Sequence, residues 1–349
     1  PYPQKTLDWL NYRRRFKELV QVLTEEQLID SLDLVICYGS PSVSLFNTRL
    51  HRFCRRRGIR FVSDCADWLT TKTENPFFDL AKWMDNTYQK AYVSKKADGV
   101  IAISRYLGDY YDTAGCKTVV IPPLSPFKYE VPQPIYNLKD GKIIVYAGQP
   151  FRKGNRITDL SGMKDRIDET IVLFHAAKQI GCKFVFHVYG LTEDEYLCAI
   201  PSHRRYLDEL GDNVCFHGVK SNNEVINVVR SSDFSILIRD VNRASTAGFP
   251  TKVSESISCG TPVITTKTSD LDEYIFDGIN GFFLDTQNMK KAVRQLCEIL
   301  NKSKDEIHEM KRNCAESNVF YFEEYIERTR HFLNDIEMIG VGEGNWMSG

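Results

Sequence analysis

The stretch 242–266, N-R-A-S-T-A-G-F-P-T-K-V-S-E-S-I-S-C-G-T-P-V-I-T-T, sets a lysine and a glutamate three residues apart at the start of a helical pattern. Ala247-Gly248-Phe249-Pro250 reads as a small-residue turn, and a proline suits the first helical position because the N–H it lacks has no partner there. The helix is expected from Pro250 and Thr251 to Cys259, with Gly260 ending it and Pro262 opening a strand. Free N–H groups and the positive dipole end at such a start make an anion site, and Lys252 adds a full charge. Glu255 falls on the same face and accepts two hydrogen bonds, as many as a vicinal diol such as ribose donates. Phosphate at the turn and ribose at the carboxylate describe a nucleotide.

Other polar residues read more evenly. Asp64 and Asp67 (S-D-C-A-D-W) follow an apolar run, where either one orients or deprotonates a substrate hydroxyl or simply caps a turn. Ser104 and Arg105 follow V-I-A-I and suit a helix cap as well as a ligand contact. Asp270-Leu271-Asp272 is an Asp-x-Asp triplet, but it comes late and reads as a helix start; no metal site is expected. None of the seven histidines has metal-ligand spacing, and His217 reads as a polar loop residue. The ten cysteines lack C-x-x-C spacing and read as free thiols of a reducing cytosol.

Positioning such residues takes strands and helices in alternation, and the chain supplies them. Strands are expected at 33–38, 59–63, 100–103, 118–121, 142–147, 183–189, 213–216, 233–238 and 262–265. Most are unbroken Val/Ile/Phe runs, as in sheets covered on both faces. Amphipathic stretches at 43–57, 76–96, 165–180 and 222–231 separate them. This order predicts an α/β fold of two Rossmann-like, doubly wound parallel-sheet domains facing a cleft. Residues 122–141 hold five prolines and no helical period, so they read as a linker between domains at 1–121 and 142–317. Residues 318–349 read as a helix and tail packing back on the first domain. The first domain shows only four strands and starts with a helix, so it reads as incomplete at its N-terminus.

Composition narrows the class. With 42% hydrophobic and 26% charged residues over 349 positions, the chain is globular and too long for one core. A net charge of −1 gives no field to hold nucleic acid, and no apolar run reaches the ~20 residues of a membrane span. Residues 1–60, however, carry 11 Lys/Arg against 6 Asp/Glu, with a basic helix at Arg49–Arg60. That bias suits either a solvated face or peripheral contact with an anionic membrane.

The motif E-S-I-S-C-G-T-P-V-I, preceded by G-F-P-T-K-V-S, resembles the donor-binding signature of family 4 ("group 1") retaining glycosyltransferases of the GT-B fold. The resemblance implies that Glu255 holds the donor ribose, with Gly248, Phe249, Thr251 and Lys252 around the diphosphate. The family's first glutamate would fall at Ala247, so the chain departs from the pattern where the transferred sugar sits. The subset carrying A-G-F-P-T-K acts in bacterial surface polysaccharide assembly, where Lys252 stands in part for that glutamate. Tyr146-Ala147-Gly148-Gln149-Pro150 is similar to the family's first donor-domain turn, and 216–218 and 277–281 to its later turns. An arginine and a lysine that neutralise the diphosphate would then be Arg152 and Lys164, with Lys153 a competitor. Asp98–Tyr106 and Ile121-Pro122-Pro123 match the end of the acceptor domain more loosely.

The expected activity is hexosyl transfer, without metal or cofactor, from a nucleotide-sugar to a glycan or lipid-linked hydroxyl in the cytoplasm. Cations at a helix start stabilise a leaving diphosphate without a divalent ion. Two rival readings share the architecture: a sugar-nucleotide epimerase, and a non-catalytic nucleotide-sugar-binding subunit to which Ala247 lends weight. A dinucleotide oxidoreductase is disfavoured, since no G-x-G-x-x-G follows a strand.

Overall fold

The computed structural model describes residues 15–38, 43–68, 76–126, 128, 141–151, 154, 156–157, 160 and 163–336. They fall into two compact units, one drawn from 1–122, 247–249 and 325–349, the other from 123–246 and 250–324. Most of the proline-rich stretch, 127 and 129–140, lies outside the described residues.

The first unit is built on a parallel sheet in the order β1-β2-β3-β4: Leu34–Tyr38, Arg60–Cys65, Gly99–Ala102 and Thr118–Val120. Its helices are α1 (Arg15–Glu25), α2 (Ser44–Arg57), α3 (Pro76–Tyr88) and α4 (Arg105–Asp112). Alternation along β2 divides the core. Phe61 joins Leu50, Phe53, Cys54 and Ile59, whereas Val62 joins Val119, Phe332 and Ile336. Phe332 lies within the C-terminal helix Ile326–Asp335 and Ile336 is its C-cap, so this unit is finished by residues from the far end of the chain. Gly99 makes room for them, because a Cβ there would lie 2.5 Å from the Phe332 ring. The helical pattern expected over 76–96 holds as α3 and then widens and tightens, through a π turn at Gln89–Val93 and a 3-10 turn at Ser94–Lys96.

The second unit has six parallel strands: β5 (Lys142–Ala147), β6 (Phe184–Tyr189), β7 (Val214–Phe216), β8 (Phe234–Leu237), β9 (Val263–Thr265) and β10 (Gly281–Phe283). Their order is β10-β9-β8-β5-β6-β7, which reverses direction between β5 and β8. That is the Rossmann strand order, and ligands in such sheets bind beyond the carboxyl ends of the strands at the reversal. The sequence reading missed β10, whose first residue Gly281 reads as the end of the 277–281 turn; it pairs with β9 from Gly281 to Phe283. The helices are α5 (Ile167–Gln179), α6 (Glu193–Ala199), α7 (Arg204–Leu210), α8 (Asn222–Ser231), α9 (Arg243–Ala247), α10 (Thr251–Ser258), α11 (Met289–Leu300) and α12 (Lys304–Ser317). Phe174 of α5 packs on Phe184 and Phe186, with ring centroids 4.8 and 4.6 Å apart. Capping boxes at Thr192/Glu195, Ser221/Glu224 and Ser303/Glu306 fix where α6, α8 and α12 begin.

The cysteines correct one expectation. Cys182, in the turn after α5, is disulfide-bonded to Cys297 of α11, so the ten are not all free thiols. The partners are 115 residues apart in sequence, a separation that no local spacing rule reaches. Among the described residues no helix is long and apolar enough to cross a membrane.

Candidate functional site

Three glycine turns interlock where β5, β6 and β7 end. The Gly148 N–H donates to the Tyr189 carbonyl at 2.9 Å, and the Gly190 N–H to the Gly218 carbonyl at 2.7 Å. Gly190 has φ +101°, and a Cβ on it would stand 2.2 Å from the Gly148 carbonyl oxygen. Gly148 is constrained differently: its Cβ would lie 2.1 Å from Lys252 Cε and 2.6 Å from Nζ. The Lys252 stem therefore crosses directly over the Gly148 backbone. Gly148→Ala is expected to push this lysine aside and weaken nucleoside diphosphate binding about tenfold, at a cost in stability of ~1–3 kcal/mol. Titration calorimetry with a thermal melt checks both.

Lys252 is paired with a carboxylate of the same unit. Its Nζ lies 2.6 Å from Asp165 Oδ2 in an ion pair. Asp165, two residues before α5, is buried and also accepts from Arg239 Nε at 2.8 Å and from the Tyr146 hydroxyl at 2.9 Å. Burial alone would raise the Asp165 pKa, but Lys252 and Arg239 outweigh it and hold the carboxyl below its ordinary range. Tyr146 is driven well above its usual value by burial and by the adjacent carboxylate. Two cations share one anion, so the cluster carries a net positive charge at the strand-order reversal. It is a fixed cationic site whose members hold one another in place.

Arg239 follows β8, and its backbone is clamped by the Thr266 hydroxyl, which accepts from its N–H at 3.0 Å and donates to its carbonyl at 2.7 Å. Arg166 adds a second brace, reaching Asp168, Glu169 and Asp240.

α10 begins one residue later than expected, with Pro250 as its N-cap, and ends at Ser258 before Cys259 and Gly260. Residues 243–247 form α9, so Ala247, expected to open the turn, ends a short helix. Lys252 and Glu255 do share a face: both line a cavity of about 270 Å³ within the second unit. Its floor is Val145, Ala147, Leu237 and Val263, and α8 closes one side with Val225 and Val229. An apolar slot with a few polar groups at its rim is the usual form of a small-molecule site. Glu255 is at the surface, yet the surrounding protein desolvates its carboxylate enough to raise its pKa, with Lys252 opposing.

Lys164 is exposed, next to Asp165, while Arg152 and Lys153 lie outside the described residues. Thr251 is exposed at the first position of α10; Gly248 and Phe249 are buried and group with the first unit. In that unit Asp64 ends β2 half-buried, and burial pushes its pKa up to about 6, whereas Asp67 is exposed. Ser104 is the N-cap of α4 and also donates to the Ala247 carbonyl at 2.6 Å. Asp270 caps a 3-10 turn and Asp272 pairs with Lys267; among the described residues no cluster could hold a metal ion. His217 accepts or donates across 2.9 Å to His187 and stacks on Tyr189.

Sequence reasoning missed Asp165, Arg239 and Tyr146 as a unit, along with Gly190. Gly190 had a signal, a glycine directly behind an apolar strand, of the same kind as Gly148.

Residues 166–317 match the family model described as "Glycosyl transferases group 1". No curated protein sequence matches the chain. Among solved structures, sucrose-phosphate synthase from Thermosynechococcus elongatus is similar at 16% identity, with a TM-score of 0.63 over 97% of this chain and 80% of that one. Anabaena HepE in complex with UDP follows at 15% identity and TM-score 0.62, covering 95% and 84%. A glycosyltransferase from Rickettsia africae gives 13% and 0.62, covering 97% and 84%. The fold is GT-B. In GT-B terms the second unit is the Rossmann-like sheet that carries the group 1 match, and the Asp165–Arg239–Lys252 cluster and Glu255 both lie in it.

Proposed function

We propose that the protein is a retaining glycosyltransferase that moves a hexose from a nucleotide-sugar to a hydroxyl of a glycan or lipid-linked acceptor, without a metal or other cofactor. The observation that carries this reading is the pairing of a net-cationic cluster with a carboxylate-rimmed slot on one face of α10. The slot takes the nucleoside and Glu255 its ribose hydroxyls. Lys252, Arg239 and Lys164 face the diphosphate and stabilise the charge that builds on it as the glycosidic bond breaks. The departing phosphate oxygen takes the proton of the attacking hydroxyl, and Asp64, in the first unit, accepts from another hydroxyl of the acceptor. HepE's complex with UDP and the group 1 match support this assignment, as does the A-G-F-P-T-K motif for a role in cytoplasmic surface-polysaccharide assembly.

A thermal-shift panel of nucleoside diphosphates and their sugars tests it. A shift with at least one diphosphate, followed by sugar transfer to an added acceptor, is the expected result. Binding with neither transfer nor hydrolysis favours the non-catalytic subunit, and donor turnover without acceptor favours the epimerase.

Asp64 gives the reading a pH signature. Its carboxylate must be ionised to accept, so transfer is expected to fall about tenfold per pH unit below about 6. Asp64→Asn should lose that limb. The sign for stability is opposite: a raised carboxylate binds its proton more tightly when folded, so the fold gains stability as pH drops through 6. At pH 7 the asparagine variant should therefore be more stable than the parent, by ~1–2 kcal/mol.

A further inference from the structure

Helix α3 is inside out. Asp85, Asn86 and, in the π turn that follows, Gln89 are buried, while Phe77, Leu80, Trp83 and Met84 face solvent. Phe77 is 83% and Trp83 63% exposed, far beyond a stray surface apolar residue. Two of these buried side chains are tied in place: Ser44 donates through its N–H and hydroxyl to Asp85 Oδ1, Asn47 donates to Gln89 at 3.0 Å, and Gln89 to Ser94 at 3.2 Å, while Asp85 Oδ2 and Asn86 Oδ1 have no hydrogen-bond partner among the described residues. The outward face is thus held outward by hydrogen bonds on the inner one, and the apolar stripe cannot roll into the core.

The stripe runs into a cationic surface. Tyr88 stacks on Tyr92 at 5.0 Å, and Lys96 Nζ both donates to the Tyr92 hydroxyl at 2.9 Å and sits 4.0 Å over its ring. That contact, with Arg52 close enough to add to it, lowers the Tyr92 pKa. The Ser44–Asp85 bonds tie the start of α2 to α3, placing the exposed Leu45 at the same edge. Beyond it α2 shows Arg49, Arg52 and Arg56 to solvent at spacings of three and four. Residues 43–63 hold six arginines and no carboxylate.

We propose that this face of the first unit docks on an anionic lipid bilayer, with the α3 stripe entering the acyl boundary and the α2 arginines meeting the headgroups. Aromatic and aliphatic side chains flanked by Lys and Arg are what an interfacial helix needs. Charge separates the bilayer from a second copy of the chain, since a symmetric contact through this face would set arginine against arginine. The proposal stands apart from the donor-site reading, because adsorption is measured without any nucleotide.

Co-sedimentation of the full chain with phosphatidylcholine vesicles, with and without phosphatidylglycerol, tests it. Binding is expected only to the anionic vesicles, falling with salt, with a blue shift in tryptophan emission that Trp83→Phe largely removes. Arg52→Glu with Arg56→Glu should weaken binding at least tenfold, about 1 kcal/mol being due to each basic residue near such a surface. Phe77→Ser with Trp83→Ser should weaken it about tenfold or more while the melting temperature holds, as both side chains are mostly in water. A folded parent that ignores anionic vesicles overturns the proposal, as does unchanged binding in the Phe77/Trp83 variant. So does light scattering that shows a dimer which the same variant dissolves, because the face then belongs to a protein interface.

Discussion

Glu255→Ala is expected to abolish nucleoside diphosphate binding while leaving the unliganded melting temperature within about 1 °C of the parent. The side chain lines the slot and, among the described residues, makes no side-chain hydrogen bond or ion pair that holds the fold together. Two hydrogen bonds from a diol to a charged acceptor, each worth ~1.5–3 kcal/mol, correspond to a loss of roughly two to four orders of magnitude in affinity. Glu255→Gln keeps the shape and one acceptor oxygen and should fall between the two. The pH dependence has a definite sign. Burial raises this carboxyl's pKa, so binding should weaken as pH falls through that raised value, earlier than for a solvated glutamate. Calorimetry at a series of pH values reads it, and a glutamine variant with parental affinity would show that the ribose lies elsewhere.

Asp165→Asn should do the reverse, striking stability and binding together. Removing the shared anion leaves Lys252 and Arg239 facing each other across a buried site. Breaking a buried ion pair in this way costs ~3–5 kcal/mol, or roughly 6–15 °C in melting temperature for a unit of this size. The parent's own pH curve carries the same signature. A carboxyl held below its ordinary range contributes stability that is complete above the unfolded pKa and is lost as pH falls through the depressed one. The asparagine variant should lack that acid-side loss. Lys252→Met placed on top of it should recover part of the deficit, since one of the two orphaned charges is then gone.

How much of this could be read in the sequence depended on distance along the chain. Lys252 and Glu255 share a face because they are three residues apart, and local periodicity sees three residues. The other nine strands were visible, most as Val/Ile/Phe runs, while Gly281–Phe283 begins on a glycine that reads as part of the preceding 277–281 turn and leaves only two apolar residues to register. Asp165 and Arg239 are 74 residues apart and meet only because β8 lies beside β5, a pairing set by crossovers that no window contains. The Cys182–Cys297 bond was hidden for the same reason. α3 shows a different limit: its periodicity revealed two faces without saying which one turns inward, and the apolar face is the outer one.

The C-terminal helix has a consequence for how the chain comes to be folded. Phe332 and Ile336 complete a core begun by Val62, some 270 residues earlier in synthesis. A ribosome therefore releases strands β1 to β4 long before the side chains that cover them exist, and in that interval Val62, Val119 and the notch at Gly99 stay open. The second unit, its segments nearly contiguous, can close first. The earlier-made half of the protein is thus the later to mature, and a chain cut short before residue 326 would display an unsealed sheet to every chaperone and protease it meets.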